Sequence, residues 1–258
     1  MTAILETFSA WRAERGAQIR SRVTLGFIPT MGSLHEGHVS LVRRSREEND
    51  RTLVSIFINP TQFDDPADLM QYPRTLENDL SRLRTEGVDF VFVPREADLY
   101  PDEYQYRVRE NVLSTRLEGA HRPGHFDGVL TVVLKLLNIA SADRAYFGEK
   151  DWQQLKLVEG MARAFFLPTA IVACPTVREA DGLALSSRNS RLPPTDRKRA
   201  SQLYRTLSAA PTSEVVSREL HASGFDVDYV EDWEGRRLAA VRLGSVRLID
   251  NVPIEGRR

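Results

Sequence analysis

Cysteine is almost missing from this chain: Cys174 stands alone among 258 residues. An intrachain disulfide is therefore excluded. Cys174 closes an apolar run with Ile171, Val172 and Ala173, which marks it as a buried structural thiol rather than a reactive one. Long hydrophobic runs are missing too; none approaches the roughly 20 residues a bilayer-spanning helix needs. Neither sign of charge is in excess. Thirty-five Lys and Arg face 36 Asp and Glu, a formal net charge of −1. Nothing electrostatic points to nucleic acid or an anionic membrane as partner, although local basic patches can still take small anions. Internal repeats and low-complexity tracts are also lacking. The opening stretch MTAILETFSAWRAERG carries acidic residues and no secretory-signal pattern, so a reducing, cytoplasmic setting is the expectation.

What is there reads as a globular protein, 41% hydrophobic and 28% charged, long enough for a sizeable core. Hydrophobic periodicity predicts an opening helix over 4–20, with Ile4, Leu5, Phe8 and Trp11 on one face. Val23–Ile28 follows as a strand, 37–49 as a helix, and LVSIFI, Leu53–Ile58, as a strand buried on both faces. Residues 59–75 read as a long loop, 75–86 as a helix, 89–93 as a strand and 105–113 as a further possible strand. Phe126–Ala140 has the apolar density of a buried helix, followed by strand 144–147, helix 151–164 and strand 169–173. This βαβ rhythm implies a parallel sheet with right-handed crossovers. Near residue 176 the rhythm breaks into a polar loop. Helices over 196–208 and 213–223 and short antiparallel strands over 225–230, 237–243 and 245–249 suggest a separate small α+β domain.

Five stretches could carry chemistry. IPTMGSLHEGH joins a strand end, a glycine turn and a helix start, which is a phosphate seat, with His35 and His38 three residues apart. A shared zinc is an alternative for two such histidines, but a third ligand with suggestive spacing is not visible. Asn59 and Gln62 follow the LVSIFI strand, where open parallel sheets bind ligands, and their neutral amides suit a hydroxy acid. Arg122 in HRPGH could clamp a carboxylate or phosphate, or simply belong to a basic surface loop. FGEKDWQQ is a second strand–turn–helix seat, with Lys150 placed to meet a phosphate and Gln154 one turn on. Two hydroxyls and a guanidinium in LSSRN, Ser186, Ser187 and Arg188, could close over phosphates.

Taken together, PTMGSLHEGH, SIFINPTQF, YPRT, HRPGHFDGV, FGEKDWQQL and DGLALSSRN resemble, in order and spacing, the pantoate–β-alanine ligases, a family within the wider HxGH nucleotidyltransferases. The resemblance runs from Phe27 to the terminal RLGSVRLIDN. It implies an α/β fold: a Rossmann-like parallel-sheet domain over 1–176 binding ATP and pantoate, then a small α+β lid domain over 177–258. It implies an AMP-forming ligase that condenses pantoate with β-alanine through a pantoyl adenylate, with ATP as substrate, Mg²⁺ on the ATP and a homodimer as the assembly. The matching ATP positions are Met31, Gly32, Ser33, Leu34, His35, Glu36, Gly37, His38, Gly148, Glu149, Lys150, Asp151, Val177, Leu185, Ser186, Ser187 and Arg188. Gln62 and Gln154 match pantoate positions, with Asn59 beside them and Gln62 near the β-alanine site. The catalytic set would be His38 as proton donor with His35, Lys150 and Arg188, and no metal held by the protein itself. Leu185 and Trp152 stand where many relatives carry Met and Tyr, and APTSEVVSRELHASG is short for the family. Two other readings stay open: an HxGH enzyme adenylylating a different, phosphate-bearing substrate, and a nucleotide-binding regulatory relative without turnover.

Overall fold

The computed structural model describes residues 2–254 and divides into two compact units. The first runs up to Gly148 and takes in Gln153–Cys174. The second comprises Glu149–Trp152 and the chain from Pro175 on.

The first unit is a parallel sheet with helices. In chain order it holds β1 (Ala3–Leu5), α1 (Phe8–Arg20), β2 (Leu25–Thr30), α2 (Glu36–Glu48), β3 (Arg51–Ile56), a 3-10 turn at Pro60–Gln62, α3 (Pro66–Gln71) and α4 (Leu76–Thr85). Then come β4 (Phe90–Phe92), α5 (Glu96–Leu99), α6 (Glu118–His121), α7 (His125–Ala140), β5 (Arg144–Gly148), α8 (Trp152–Ala164) and β6 (Ala170–Cys174). The strand order is β1-β4-β3-β2-β5-β6, every pair parallel. The chain therefore winds outward from β2 through β3 to β4, then returns to the other side of β2 as β5. That reversal is the topological switch point, where sheets of this kind bind ligands. The register makes the opening explicit. β2 pairs with β3 as far as Thr30↔Ile56, and β5 with β6 as far as Gly148↔Cys174. Between β2 and β5 the pairing stops at Phe27↔Ala145. Beyond it the strands part, and the chain after β2 is the PTMGSLHEGH stretch.

The LVSIFI run becomes β3 because it can be covered on both faces: Thr52 through Phe57 are all buried. α2 turns Val39, Leu41, Val42 and Ser45 inward at helical spacing. α7 is nearly all core, and its Gly128 lies against the Pro60–Gln62 turn. A Cβ there would sit 2.3 Å from the Thr61 carbonyl oxygen and 2.7 Å from the Gln62 nitrogen. Only glycine lets the turn rest on the helix.

The second unit holds 3-10 turns at Glu149–Asp151 and Ser187–Arg191, α9 (Pro194–Ala200), α10 (Gln202–Ala209) and α11 (Ser213–Ala222). The antiparallel strands β7 (Asp226–Trp233), β8 (Arg236–Leu243) and β9 (Val246–Pro253) pair in the order β7-β8-β9. Leu203, Leu207, Val216, Leu220 and Val241 form the centre of its own core.

Four expectations need correction. Residues 3–5 are not the start of the first helix but an edge strand on β4, bonded through Ala3 N–H to Asp89 O (2.9 Å) and Val93 N–H to Leu5 O (2.9 Å). Residues 105–113 form no strand: Thr131 Oγ1 accepts from the Val108 N–H, and the Glu110 carboxylate takes those of Val112 and Ser114. Side chains serve the donors that a ladder would have served. The 59–75 loop contains α3, started by Pro66 and capped by the Asp65 carboxylate on the Ala67 N–H. The 196–208 helix is two helices, α9 and α10, broken at Ser201.

Gly128→Ala should cost on the order of 2 kcal/mol of unfolding free energy, because backbone has to move to admit the methyl. Urea unfolding checks it, and a stability equal to the parent's would contradict the close approach.

Candidate active site

Leaving β2, the chain makes two left-handed steps, Gly32 (φ +78°) and Ser33 (φ +51°). Such a turn offers consecutive N–H groups, and here protein groups take them. Gly32 N–H donates to Thr30 Oγ1 (3.2 Å). Ser33 and Leu34 N–H donate to the two oxygens of Asp79 (2.9 and 2.8 Å), which also accepts from Thr75 Oγ1 (3.0 Å). Asp79 projects from α4 and is 3% exposed. The glycine turn is thus filled by a carboxylate of the protein itself. What remains for an anion is the N-terminus of α2, where the Glu36 and Gly37 N–H groups have no intrahelical acceptor, His38 N–H being taken by the His35 carbonyl (2.9 Å), and the dipole favours negative charge.

His35 is the N-cap of α2 and His38 its third helical residue. The His35 N–H donates to His38 Nδ1 at 3.3 Å, and the two rings lie with centroids 4.1 Å apart. An imidazole here does what Glu or Gln does in a capping box. Because Nδ1 accepts, the proton of neutral His38 sits on Nε2. Between them, Glu36 has its carboxylate taken by Arg43 and Arg82 (3.0 Å to the latter), so its main chain is what it offers a ligand. Among the described residues no group of three or more His, Cys, Asp or Glu side chains could hold a metal ion.

Asn59 and Gln62 stand in one chain of oriented hydrogen bonds. Asn59 Nδ2 donates to the Gly128 carbonyl (3.2 Å), a group that can only accept, and this fixes the Asn59 amide. The same nitrogen donates to Gln62 Oε1 (3.1 Å), while Asn59 Oδ1 accepts from Thr61 Oγ1 (3.0 Å) and Tyr100 OH (2.8 Å). Gln62 therefore has its oxygen occupied and its Nε2 turned to Met31 Sδ at 3.1 Å, a weak acceptor. Gln62 is a fixed donor beside the turn that leads to the histidines. Asn59, expected beside the substrate, is 1% exposed with both ends of its amide engaged, and one of those bonds orients Gln62. Of the two adjacent glutamines on α8, Gln153 is buried and bonded to Glu118 N–H and to the carbonyls of Leu113 and Arg116. Gln154, the one singled out from sequence, is half-buried.

The second unit carries the other expected residues. Leu185 N–H donates to Val177 O (3.0 Å), so the chain pairs these two positions across a short hairpin. Ser186 Oγ caps the following 3-10 turn by accepting from the Arg188 N–H (3.2 Å). The turn with Glu149, Lys150 and Asp151 is tied to β9. Asn251 Nδ2 donates to the carbonyls of both Glu149 (2.8 Å) and Lys150 (2.9 Å). Arg236 pairs with the Glu149 carboxylate and lies 4.2 Å from the Trp152 ring centroid. Asp79, Asn251 and Arg236 were missed from sequence. Only the Asp-Asn at the end of RLGSVRLIDN, inside the family resemblance, hinted at one of them.

His125, at the head of α7, donates from Nδ1 to the Gln62 carbonyl (2.7 Å). Burial first, and then the adjacent Arg122 guanidinium, push its pKa from 6.5 down to about 4. The unfolded chain takes up a proton below about 6.5 that the native state refuses until about 4. Stability tied to this ring is thus present above 6.5 and lost as pH falls through that window, by roughly 3 kcal/mol in all. The pH dependence of unfolding free energy between 6 and 4.5 should be about one proton steeper in the parent than in His125→Asn. Equal slopes would mean the ring is protonated in the native state. Separately, Asp79→Ala strands two N–H groups and should cost about 3 kcal/mol while weakening ATP binding. Unfolding and nucleotide titration check both effects, and an unchanged ATP affinity would detach Asp79 from the site.

A family model for pantoate-beta-alanine ligase matches residues 3–253. A pantothenate synthetase of Bdellovibrio bacteriovorus is 51% identical over 257 residues, covering 98% of this chain and 100% of that one. One from Coxiella burnetii is 46% identical over 253 residues, covering 98% and 97%. Among solved structures, the pantoate-beta-alanine ligase of Francisella tularensis, complexed with beta-gamma ATP and beta-alanine, superposes with a TM-score of 0.94. Its identity is 40%, with 100% of this chain and 99% of that one covered. The pantothenate synthetase of Thermus thermophilus gives 0.90 at 41% identity, with 97% and 99% covered. The chain belongs to the pantoate–β-alanine ligase family.

Proposed function

We propose that the chain condenses pantoate with β-alanine to pantothenate at the expense of ATP, through a pantoyl adenylate, releasing pyrophosphate and AMP. The observation that carries this reading is the Gln62 amide, held as a donor beside the turn that leads to His35 and His38. A neutral donor at that place suits a hydroxy acid next to an anion seat, and Gln154 supplies a second amide. In the first step a pantoate carboxylate oxygen attacks the α-phosphorus of Mg²⁺-bound ATP, and pyrophosphate leaves. In the second, the β-alanine amine attacks the acyl carbon, AMP leaves with the phosphate-side oxygen, and the amine loses its proton. Negative charge builds on the α-phosphate and pyrophosphate oxygens in the first step. His38, whose Nε2 carries the proton, His35 and the N-terminus of α2 answer it, together with Lys150, Ser186, Ser187 and Arg188. Met31–Leu34, Gly37, Gly148, Glu149, Asp151, Val177 and Leu185 complete the ATP set by main chain and packing. The enzyme needs no covalent intermediate of its own, so rate comes from alignment and charge stabilisation. A cytoplasmic homodimer with residues 177–258 as a lid belongs to the same reading; the lone cysteine supports the compartment.

Isotope exchange between pyrophosphate and ATP should require pantoate and not β-alanine, with AMP appearing only after the amine is added. Exchange that ignores pantoate would overturn the reading. His38→Ala should lower the exchange by about 10²–10³-fold while losing only the roughly 1 kcal/mol of a capping contact; near-normal exchange would remove His38 from the chemistry.

A further inference from the structure

HRPGH has no part in the chemistry so far, yet it grips the residue that receives the acid. The Gln62 carbonyl oxygen accepts twice, from His125 Nδ1 at 2.7 Å and from Arg122 Nη2 at 3.2 Å. Arg122 Nη1 lies 3.2 Å from His125 Nε2. A guanidinium can only donate, so Nε2 must accept, the ring is neutral, and its single proton is on Nδ1, aimed at Gln62. Arg122 is itself held by Asp64 Oδ1 at 2.7 Å and stands 3.9 Å from the Glu118 carboxylate. These three, Arg122, Asp64 and Glu118, are the charged groups that face the ring.

We propose that His125, with its tautomer locked by Arg122, is a positioning residue for the hydroxy-acid pocket: it fixes the Gln62 main chain so that the Gln62 amide presents its N–H to the acid. The inference rests on Gln62 being the pantoate residue. Three independent contacts converge on that one residue. Asn59 orients its side chain, His125 and Arg122 hold its carbonyl, and Gly128, one helical turn after His125, seats the turn it belongs to. Turning Gln62 about its backbone would swing Nε2 away from Met31. The double grip on the carbonyl opposes that turn, and a ring 8% exposed and packed on Phe126 leaves little slack. With Arg122 donating to Nε2, the neutral ring can carry its proton only on Nδ1, so the donor to Gln62 is fixed.

The test uses the geometry of replacements. An Asn amide N–H lies near where Nδ1–H was, whereas a Gln amide reaches toward Nε2. His125→Ala and His125→Gln should raise the pantoate KM by about tenfold or more, the loss of one directed hydrogen bond. The ATP KM should stay within about twofold, and His125→Asn should recover most of the pantoate loss. Equal impairment of the Asn and Gln variants, or parallel changes in both KM values, would reduce His125 to a packing residue and overturn the proposal. Should those variants fold poorly, Arg122→Gln supplies the second measurement. Without the guanidinium the neutral ring can carry its proton on Nε2 and present no donor to Gln62, so the pantoate KM should rise several-fold at about pH 7.5 and fall back as the ring becomes imidazolium, which donates from both nitrogens; a pantoate KM equal to the parent's would refute the lock. The parent, assayed alongside for pantoate-dependent pyrophosphate exchange, separates the two readings. Parent exchange without need of pantoate fails both, whereas normal parent exchange with indifferent His125 variants fails this one alone.

Discussion

A parallel sheet can open a crevice only where two neighbouring strands stop pairing, and stopping leaves backbone groups that must be satisfied some other way. In this protein the parting is between β2 and β5, beyond Phe27 and Ala145. Much of the first unit's site is an answer to that constraint. Thr30 uses its hydroxyl to reach the Ser55 carbonyl on β3 and to receive the Gly32 N–H. Asp79 closes the next two donors, and His38 takes that of His35. By the time the chain enters α2, the turn is satisfied from within, and the open donors are the Glu36 and Gly37 N–H groups at the helix N-terminus. The anion seat is what this accounting leaves over.

A second consequence is directional. Buried amides are ambiguous as to which end donates until one partner is a group that can only accept or only donate. The Gly128 carbonyl removes the ambiguity for Asn59, Asn59 removes it for Gln62, and Arg122 removes it for His125. Polarity thus passes from fixed groups to the residue that would touch substrate. Gln62 itself offers a donor and no formal charge. A pocket that discriminates by donor placement accepts a carboxylate or hydroxyl oxygen, and an arginine or lysine there would have drawn phosphates instead.

How much of this could be read from sequence depends on whether the cause is local. β3, α2 and α7 were legible because apolar spacing reports burial directly. The HEGH turn and the Lys150 turn were legible because strand, glycine and helix start follow one another in the chain. β1 was not, since three residues have no period to read and its partner, β4, lies nearly ninety residues on. Asp79 looks like any acidic residue in the first turns of an amphipathic helix; nothing near it in sequence says that it reaches the Ser33 and Leu34 N–H groups. Asn59 was legible as a polar residue at a strand end, but its burial under Tyr100 and against Gly128, and its bond to Gln62, were not.

The Lys150 turn shows the same limit at the level of domains. Strand, turn and helix run on without a break from β5 into α8, and by continuity Glu149–Trp152 should belong with the sheet. The contacts decide otherwise. Asn251 holds two successive carbonyls of the turn, Arg236 bonds to both Asn251 and Glu149, and its guanidinium covers Trp152. A 3-10 turn of three residues has almost no internal hydrogen bonding with which to resist such partners. Its conformation is therefore set by β8 and β9, from residues about a hundred positions away. The backbone that carries Lys150 is consequently only as well placed as the small antiparallel sheet is well folded, and that ties Lys150 to a core of Leu203, Leu207 and Val241.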